Sequence, residues 1–242
     1  MKKLRDLYRH KNQTLNDAFD RIVVEIHLKK QKENYTSFLI SGCEPGAGTT
    51  TIAINLAISM ALAGWKTVLV DADMRKGADY KRLNEDTEKG LSEYLSGDGS
   101  KAEEIIYGTN YELLHYIPSG LAEKNAVSLL CSAQMQQLMK SLQEKYDYVI
   151  IDVPSINSAI DTTILAPKVD AVVLVTAQGD GEIKMVRKAK QELDKIGANI
   201  LGIIVNKVEF SEYKREMKNY DYFKKQKFAK ESAHKNKVLE KN

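Results

Sequence analysis

Three acids and one glycine-rich turn are the groups in this 242-residue chain whose types and spacing suit chemistry. The turn is Ser41-Gly42-Cys43-Glu44-Pro45-Gly46-Ala47-Gly48-Thr49-Thr50. Its glycines permit backbone turns and a close approach that a Cβ would block. Backbone N–H groups at the start of the helix that follows have no partner inside that helix, and its dipole adds partial positive charge, so the turn suits a phosphate. A full phosphate-binding loop of this type ends Gly-Lys-Ser/Thr, with the lysine on the β/γ-phosphates and the hydroxyl on Mg²⁺. Here Thr49 and Thr50 follow Gly48, which keeps the hydroxyl and loses the charge. Asp71 and Asp73 end one apolar segment, and Asp152 ends another. The i, i+2 spacing sends both carboxylates of the pair to one side of a strand end. Hard carboxylate oxygens beside bound phosphates suit Mg²⁺.

The elements that must position these groups alternate as a mostly parallel sheet demands. An amphipathic helix over 12–33, with Phe19, Ile22, Val23 and Ile26 on one face, precedes a strand at 36–42 and a helix at 49–63. A strand at 67–71 leads into Asp71. Residues 78–110 are polar and glycine-dotted, with a short helix near Gly90 to Leu95. Glu112 to Ile117 reads as a strand, and Pro118-Ser119-Gly120 as a loop over the site. A helix near 128–145, a strand at 147–152, a helix around 158–165, a strand from Asp170 to Thr176 and a helix over 181–196 follow. The last strand is Ile200 to Val205, with Asn206 just beyond it.

On these residues the chain resembles the bacterial tyrosine kinases of capsule and exopolysaccharide operons, relatives of the partition and cell-division ATPases. Pro45-Gly46-Ala47-Gly48-Thr49-Thr50-Thr51 follows that family's loop except at its lysine. Val70 to Arg75 matches its Asp-x-Asp-x-Arg motif in full, and Asp152 with Pro154 matches the third motif, Ser155 replacing a second proline. The likeness covers roughly residues 15 to 210. It implies an α/β fold of the P-loop NTPase type, a mostly parallel sheet flanked by helices with a flexible basic C-terminal tail. It implies Mg²⁺ and ATP as cofactors, and phosphoryl transfer to tyrosine. Pro45, Gly46, Ala47, Gly48, Thr49, Thr50 and Thr51 would cradle the phosphates. Thr50, Asp71 and Asp152 would hold the metal, and Asp71, Asp73 and Arg75 would act at the reacting group. Arg75 and Lys76 are the nearest cations to stand in for the missing lysine. By the same likeness Asn206 would bond the adenine ring, against the ordinary reading of a turn cap. Asp161 matches a family acid near the nucleotide. The partition-type relatives place a signature lysine where this chain has Glu44. The family's N-terminal Glu-x-x-Arg-x-x-Arg motif, used between subunits of a ring, aligns with Asp17, Asp20 and Val23 and keeps only the acid. A homo-oligomer formed by that route lacks both arginines.

Composition divides the chain at its end. From Ser211 onward, ten Lys and Arg stand against five Asp and Glu, leaving 26 against 28 elsewhere. So charged and aliphatic-poor a stretch does not build a core. The expected organisation is an N-terminal helical segment at 1–34 packed on the domain, an ATP-binding kinase domain at 35–210 and a Lys/Tyr-rich tail at 211–242. Tyr213, Tyr220 and Tyr222 are the family's expected phosphoacceptors. Phe210, Tyr213, Met217 and Tyr220 also fall at helical spacing, which suits docking on the domain or on a membrane surface. No recognition motif accompanies the tail's charge, so nucleic-acid binding is not expected. Cys43 and Cys131 form no pairing pattern and read as small buried or semi-buried residues. No apolar run has membrane-spanning length, and no secretory leader is expected. The resemblance therefore implies a cytoplasmic protein, peripheral at the inner face of the plasma membrane. It also implies a separate membrane adaptor of the polysaccharide chain-length type that activates it. The alternatives are a catalytically weak nucleotide-binding regulator of the same pathway and a membrane-surface ATPase of the partition type.

Overall fold

The structure is a computed structural model and describes residues 6–9, 12–75, 89–179, 182–209 and 211–212. Lys76 and the tyrosines at 213, 220 and 222 lie outside the described residues, as do Phe210 and Met217. The chain divides into two compact units, Met1–Asn206 and Lys207–Asn242. In the second, Lys207 takes a left-handed backbone (φ 57°) and Glu212 N–H bonds the Glu209 carbonyl.

The first unit is built on seven strands, β1 Ser37–Gly42, β2 Thr67–Asp71, β3 Tyr107–Gly108, β4 Leu114–Ile117, β5 Tyr148–Val153, β6 Ala171–Ala177 and β7 Ile200–Asn206. Their order across the sheet is β3-β4-β2-β5-β1-β6-β7. All pairs are parallel except β3 with β4. The central strands are continuous apolar runs because helices cover both faces, and alternate side chains enter opposite cores. Phe38, Ile40, Leu69, Tyr148 and Ile150 meet α1 Gln13–Glu33 and α2 Thr49–Leu62 on one face. Leu39, Val68, Val70, Val149 and Ile151 enter the core on the other face. That core takes in residues of α3 Leu91–Leu95, α4 Ala126–Cys131, α5 Ala133–Lys145, α6 Asp161–Leu165 and α7 Glu182–Lys195. Each of these aliphatic side chains contributes about 1.5–3 kcal/mol when fully buried.

Both ends of α1 are stopped locally. Asn12 caps its N-terminus by accepting from Thr14 N–H, and Asn34 closes it in the left-handed region at φ 58°. The helix is tied to the sheet by an aromatic group. His27 stacks on Trp65 at 4.2 Å and its Nδ1 lies 2.7 Å from the Tyr148 hydroxyl.

Several expectations are corrected. The single helix near 128–145 is two, because Ser132 leaves the helical region and its Oγ caps α5 by accepting from Met135 N–H. Strand β3, two residues long, is additional. Pro118-Ser119-Gly120 does not line the cleft described below: its carbonyls accept from Leu91 and Ser92 N–H, and it docks on α3. Cys131 is exposed.

The start of β1 rests on one carboxylate. Asp170 Oδ2 accepts from Thr36 N–H and Ser37 N–H, both at 2.7 Å, and from Ser37 Oγ at 2.8 Å. Asp170→Ala removes the acceptor of two backbone donors where β1 enters the core. The expected cost is about 1–3 kcal/mol, read as a lower urea midpoint at unchanged slope. A midpoint equal to wild type would mean that water replaces the carboxylate fully.

Candidate active site

The sheet order brings the motifs together. β5 lies between β2 and β1, so the glycine-rich turn after β1, the paired acids ending β2 and the acid in β5 share one edge of three adjacent parallel strands. Ligands of open α/β sheets bind at such carboxyl ends. Asp71 and Asp152 are register partners across the β2/β5 ladder. They are 4 % and 3 % exposed, and Asp73 is 6 % exposed. Asp73 N–H donates to Asp71 Oδ1 at 3.1 Å, which fixes the turn leaving β2.

The loop has the backbone that its glycines foretold. Gly46 and Gly48 take positive φ, 77° and 90°. Gly48 begins α2 with no side-chain cap, so the first-turn donors of Thr49, Thr50 and Thr51 have no intrahelical partner. Ala47 is the exception, since its N–H turns back onto the Glu44 carbonyl at 3.3 Å. A cleft of ≈ 350 Å³ opens over this loop. The turn supplies Pro45, Gly46, Gly48, Thr49, Thr50 and Thr51 to it, the end of β2 supplies Asp73 and Arg75, and the segment after β5 supplies Pro154 and Ser155. Asp71 and Asp152 are not on its wall; they sit within the strand ends.

These residues fit a Mg-nucleotide. Space stands open where a Cβ on Gly46 would project. The helix start is uncapped, and three buried carboxylates lie at the adjoining strand ends. No group of three or more His, Cys, Asp or Glu among the described residues is placed to hold an ion. A cation here would rest on one or two carboxylates, the Thr50 hydroxyl, phosphates and water, as Mg²⁺ prefers.

Other residues tie the loop down, and most had no local signal. Glu44 accepts from Thr176 Oγ1 at 3.1 Å and from Ala177 N–H at 2.6 Å, which anchors the loop to β6. Asn157 Nδ2 donates to the Cys43 carbonyl at 2.6 Å and to the Met185 carbonyl, joining the loop to α7. Ser155, where the family has its second proline, donates to Ser158 Oγ at 2.8 Å. Asn206 is the last residue of β7 and turns its Nδ2 to the Ala47 carbonyl at 2.8 Å, so its donor serves the loop. Arg75 Nε donates to Asp161 Oδ2 at 2.8 Å. Burial pushes the Cys43 thiol up to about 12, so it stays protonated and inert. Of the residues aligned with the ring motif, Asp17 accepts from Gln13 Nε2 and Asp20 pairs with Arg9. Among the described residues, no helix is long and apolar enough to cross a membrane.

Known proteins resemble this chain over most of its length. A family model described as an AAA domain matches residues 36–196. The tyrosine-protein kinase CpsD of Streptococcus pneumoniae serotype 4 is 36% identical over 198 residues, 81% of this chain and 85% of that protein. CpsD of Streptococcus agalactiae is 38% identical over 71% of this chain and 75% of that protein. A putative tyrosine-protein kinase in the cps region of Klebsiella pneumoniae is 30% identical over 79% of this chain and 26% of its own length. Among solved structures, the chimerical protein CapA2B2 superposes with a TM-score of 0.76 at 30% identity, covering 85% of this chain and 93% of that one. The kinase domain of the Escherichia coli tyrosine kinase ETK gives 0.74 at 26% identity, over 80% and 77% of the two chains. The septum site-determining protein MinD of Pyrococcus horikoshii OT3, complexed with Mg-ADP, gives 0.59 at 28% identity over 71% and 69%.

Proposed function

This chain belongs to the bacterial tyrosine kinases, a branch of the P-loop ATPases, and we propose that it is an ATP-dependent tyrosine autokinase regulating capsular or exopolysaccharide synthesis and export. One observation carries the reading. An uncapped phosphate loop and the in-register acids Asp71 and Asp152 stand at the carboxyl ends of three adjacent parallel strands. Backbone N–H groups of Gly46, Gly48, Thr49 and Thr50 would hold the phosphates. The Thr50 hydroxyl and Asp152 would hold the Mg²⁺. Asp71 and Asp73 orient the incoming tyrosine hydroxyl, and one of them takes its proton. Mg-ATP, when bound, supplies the phosphoryl group and the counter-charge on its oxygens, so these side chains act by positioning and electrostatics. Asn206, its donor on Ala47, would offer its amide oxygen to the adenine amino group.

The organisation and setting belong to the same proposal. The helical segment at 1–34 and the domain at 35–210 form the catalytic body, and the tail at 211–242 carries the acceptors Tyr213, Tyr220 and Tyr222. The protein works in the cytoplasm at the inner face of the plasma membrane, activated by a membrane adaptor of the chain-length type. A second reading, a catalytically weak nucleotide-binding regulator of the same pathway, is favoured by Thr49 in the lysine's place. Phosphotyrosine detection on the full chain with Mg-ATP, with and without the adaptor's cytoplasmic segment, separates the two. Replacing Tyr213, Tyr220 and Tyr222 with Phe is expected to remove most of the signal and leave ATP binding intact. Signal persisting in the triple variant moves the acceptor elsewhere, first to Tyr8, which is 75 % exposed. ATP binding without phosphotyrosine supports the regulator, and no ATP binding at millimolar nucleotide and Mg²⁺ overturns both readings.

A further inference from the structure

The loop lacks its lysine, yet the cleft still holds a positive charge. Among the described residues that line it, Arg75 is the single cation. Thr49 does not compensate. A Cβ built on Gly42 would stand 2.6 Å from Thr49 Oγ1, so that hydroxyl packs back onto the turn out of β1, and it carries no charge. Arg75 enters from the other side, four residues beyond Asp71, with one edge of its guanidinium fixed. Its Nε donates to Asp161 Oδ2 at 2.8 Å, and Asp161 is fully buried at the first residue of α6. A guanidinium offers five N–H donors in a rigid fork. The bond to Asp161 takes one of them, and the Arg75 side chain remains 39% exposed where it lines the cleft.

We propose that Arg75, held in place by Asp161, is the cation that reads the terminal phosphates of a bound nucleoside triphosphate in place of the loop lysine. Arg75 touches the phosphates, and Asp161 is a positioning residue. The buried carboxylate and its charge-assisted hydrogen bond fix the guanidinium plane before ligand arrives. The remaining N–H pair then matches two phosphate oxygens, a bidentate fit that an ammonium does not make. Such a cation favours the triphosphate over the diphosphate, because the γ-phosphate brings the added charge. The inference rests on the reading of the cleft as a nucleotide site.

The test is affinity, measured as titration with fluorescent ATP and ADP analogues in Mg²⁺ on the full chain. The paired variant Arg75→Gln with Asp161→Asn removes the cation without stranding a buried carboxylate, and thermal unfolding without nucleotide checks its fold. ATP affinity is expected to fall about 10- to 100-fold, the value of one charge-assisted hydrogen bond, and ADP affinity much less. Thr49→Lys added to that variant is expected to recover the loss. If the paired variant does not fold, Asp161→Asn alone keeps an acceptor for Nε but loosens the anchor, and is expected to weaken ATP more than ADP. A folded variant with wild-type ATP affinity overturns the proposal and leaves Arg75 as a partner for Asp161 alone. An equal loss for ATP and ADP overturns it too. Wild-type protein that binds neither nucleotide overturns the nucleotide reading itself, a result distinct from both.

Discussion

Asp152→Asn is expected to lower tyrosine phosphorylation by a factor on the order of 10²–10³. Asp152 and Asp71 are register partners on adjacent strands, 3 % and 4 % exposed, with Asp73 close behind at 6 %. Asparagine keeps the shape and an acceptor but not the charge. Catalysis by positioning and electrostatics then loses its counter-charge for the metal. Asp71→Asn is expected to behave alike, since its Oδ1 goes on accepting from Asp73 N–H. Phosphotyrosine yield reads the loss, and a thermal melt checks that the variants are folded. Full phosphorylation in either variant places the chemistry elsewhere, and a Tm lowered by several degrees makes these acids part of the architecture.

A methyl group on Gly48 is expected to weaken Mg-ATP binding more than the same group on Gly46. Both residues hold positive φ, 90° and 77°, which costs roughly 1–3 kcal/mol in a residue with a side chain. That alone is roughly 5- to 150-fold in affinity at about 1.4 kcal/mol per decade. Gly46 adds nothing more, because space stands open around its missing Cβ. At Gly48 the Cβ would stand 2.3 Å from Asn206 Nδ2, so the loop or the amide must move and the bond to the Ala47 carbonyl is disturbed. Measured against Asn206→Ala alone, Gly48→Ala is expected to cost less than it does in the natural background, because the collision is gone. Equal losses at the two glycines would mean that the amide yields without cost, and that Asn206 does not shape the loop.

The local parts of this site were legible because each follows from neighbours in the chain. Gly46 and Gly48 marked a turn needing positive φ, residues 49–63 a helix whose first donors stay open, and Val68-Leu69-Val70 a strand running into Asp71. The alternation of strands at 36–42 and 147–152 with helices pointed to a mostly parallel sheet, and the continuous burial of residues 37–42 and 148–153 fits helices on both its faces. Even the missing lysine was visible, as a residue type at a fixed offset from a glycine. Signals shorter than the patterns used to find them were lost. The two residues of β3 show no alternation, and Ser132 interrupts an otherwise helical stretch by a single cap.

What tertiary structure alone decided is which distant groups meet. Asp71 faces Asp152 only because β5 inserts between β2 and β1, and no spacing along the chain encodes strand order. Arg75 meets Asp161 across 86 positions, Asn206 meets Ala47 across 159, and Glu44 meets Thr176 across 132. Pro118-Ser119-Gly120 had the composition of a loop over a site but found its hydrogen bonds on α3. The physical reason is common to all of these. Periodicity and turn chemistry are set within a few residues by backbone sterics and local hydrogen bonds. A long-range polar contact is set by crossover helices packing the strands into one order, and by the need of each buried charge or amide for a partner wherever that order leaves it.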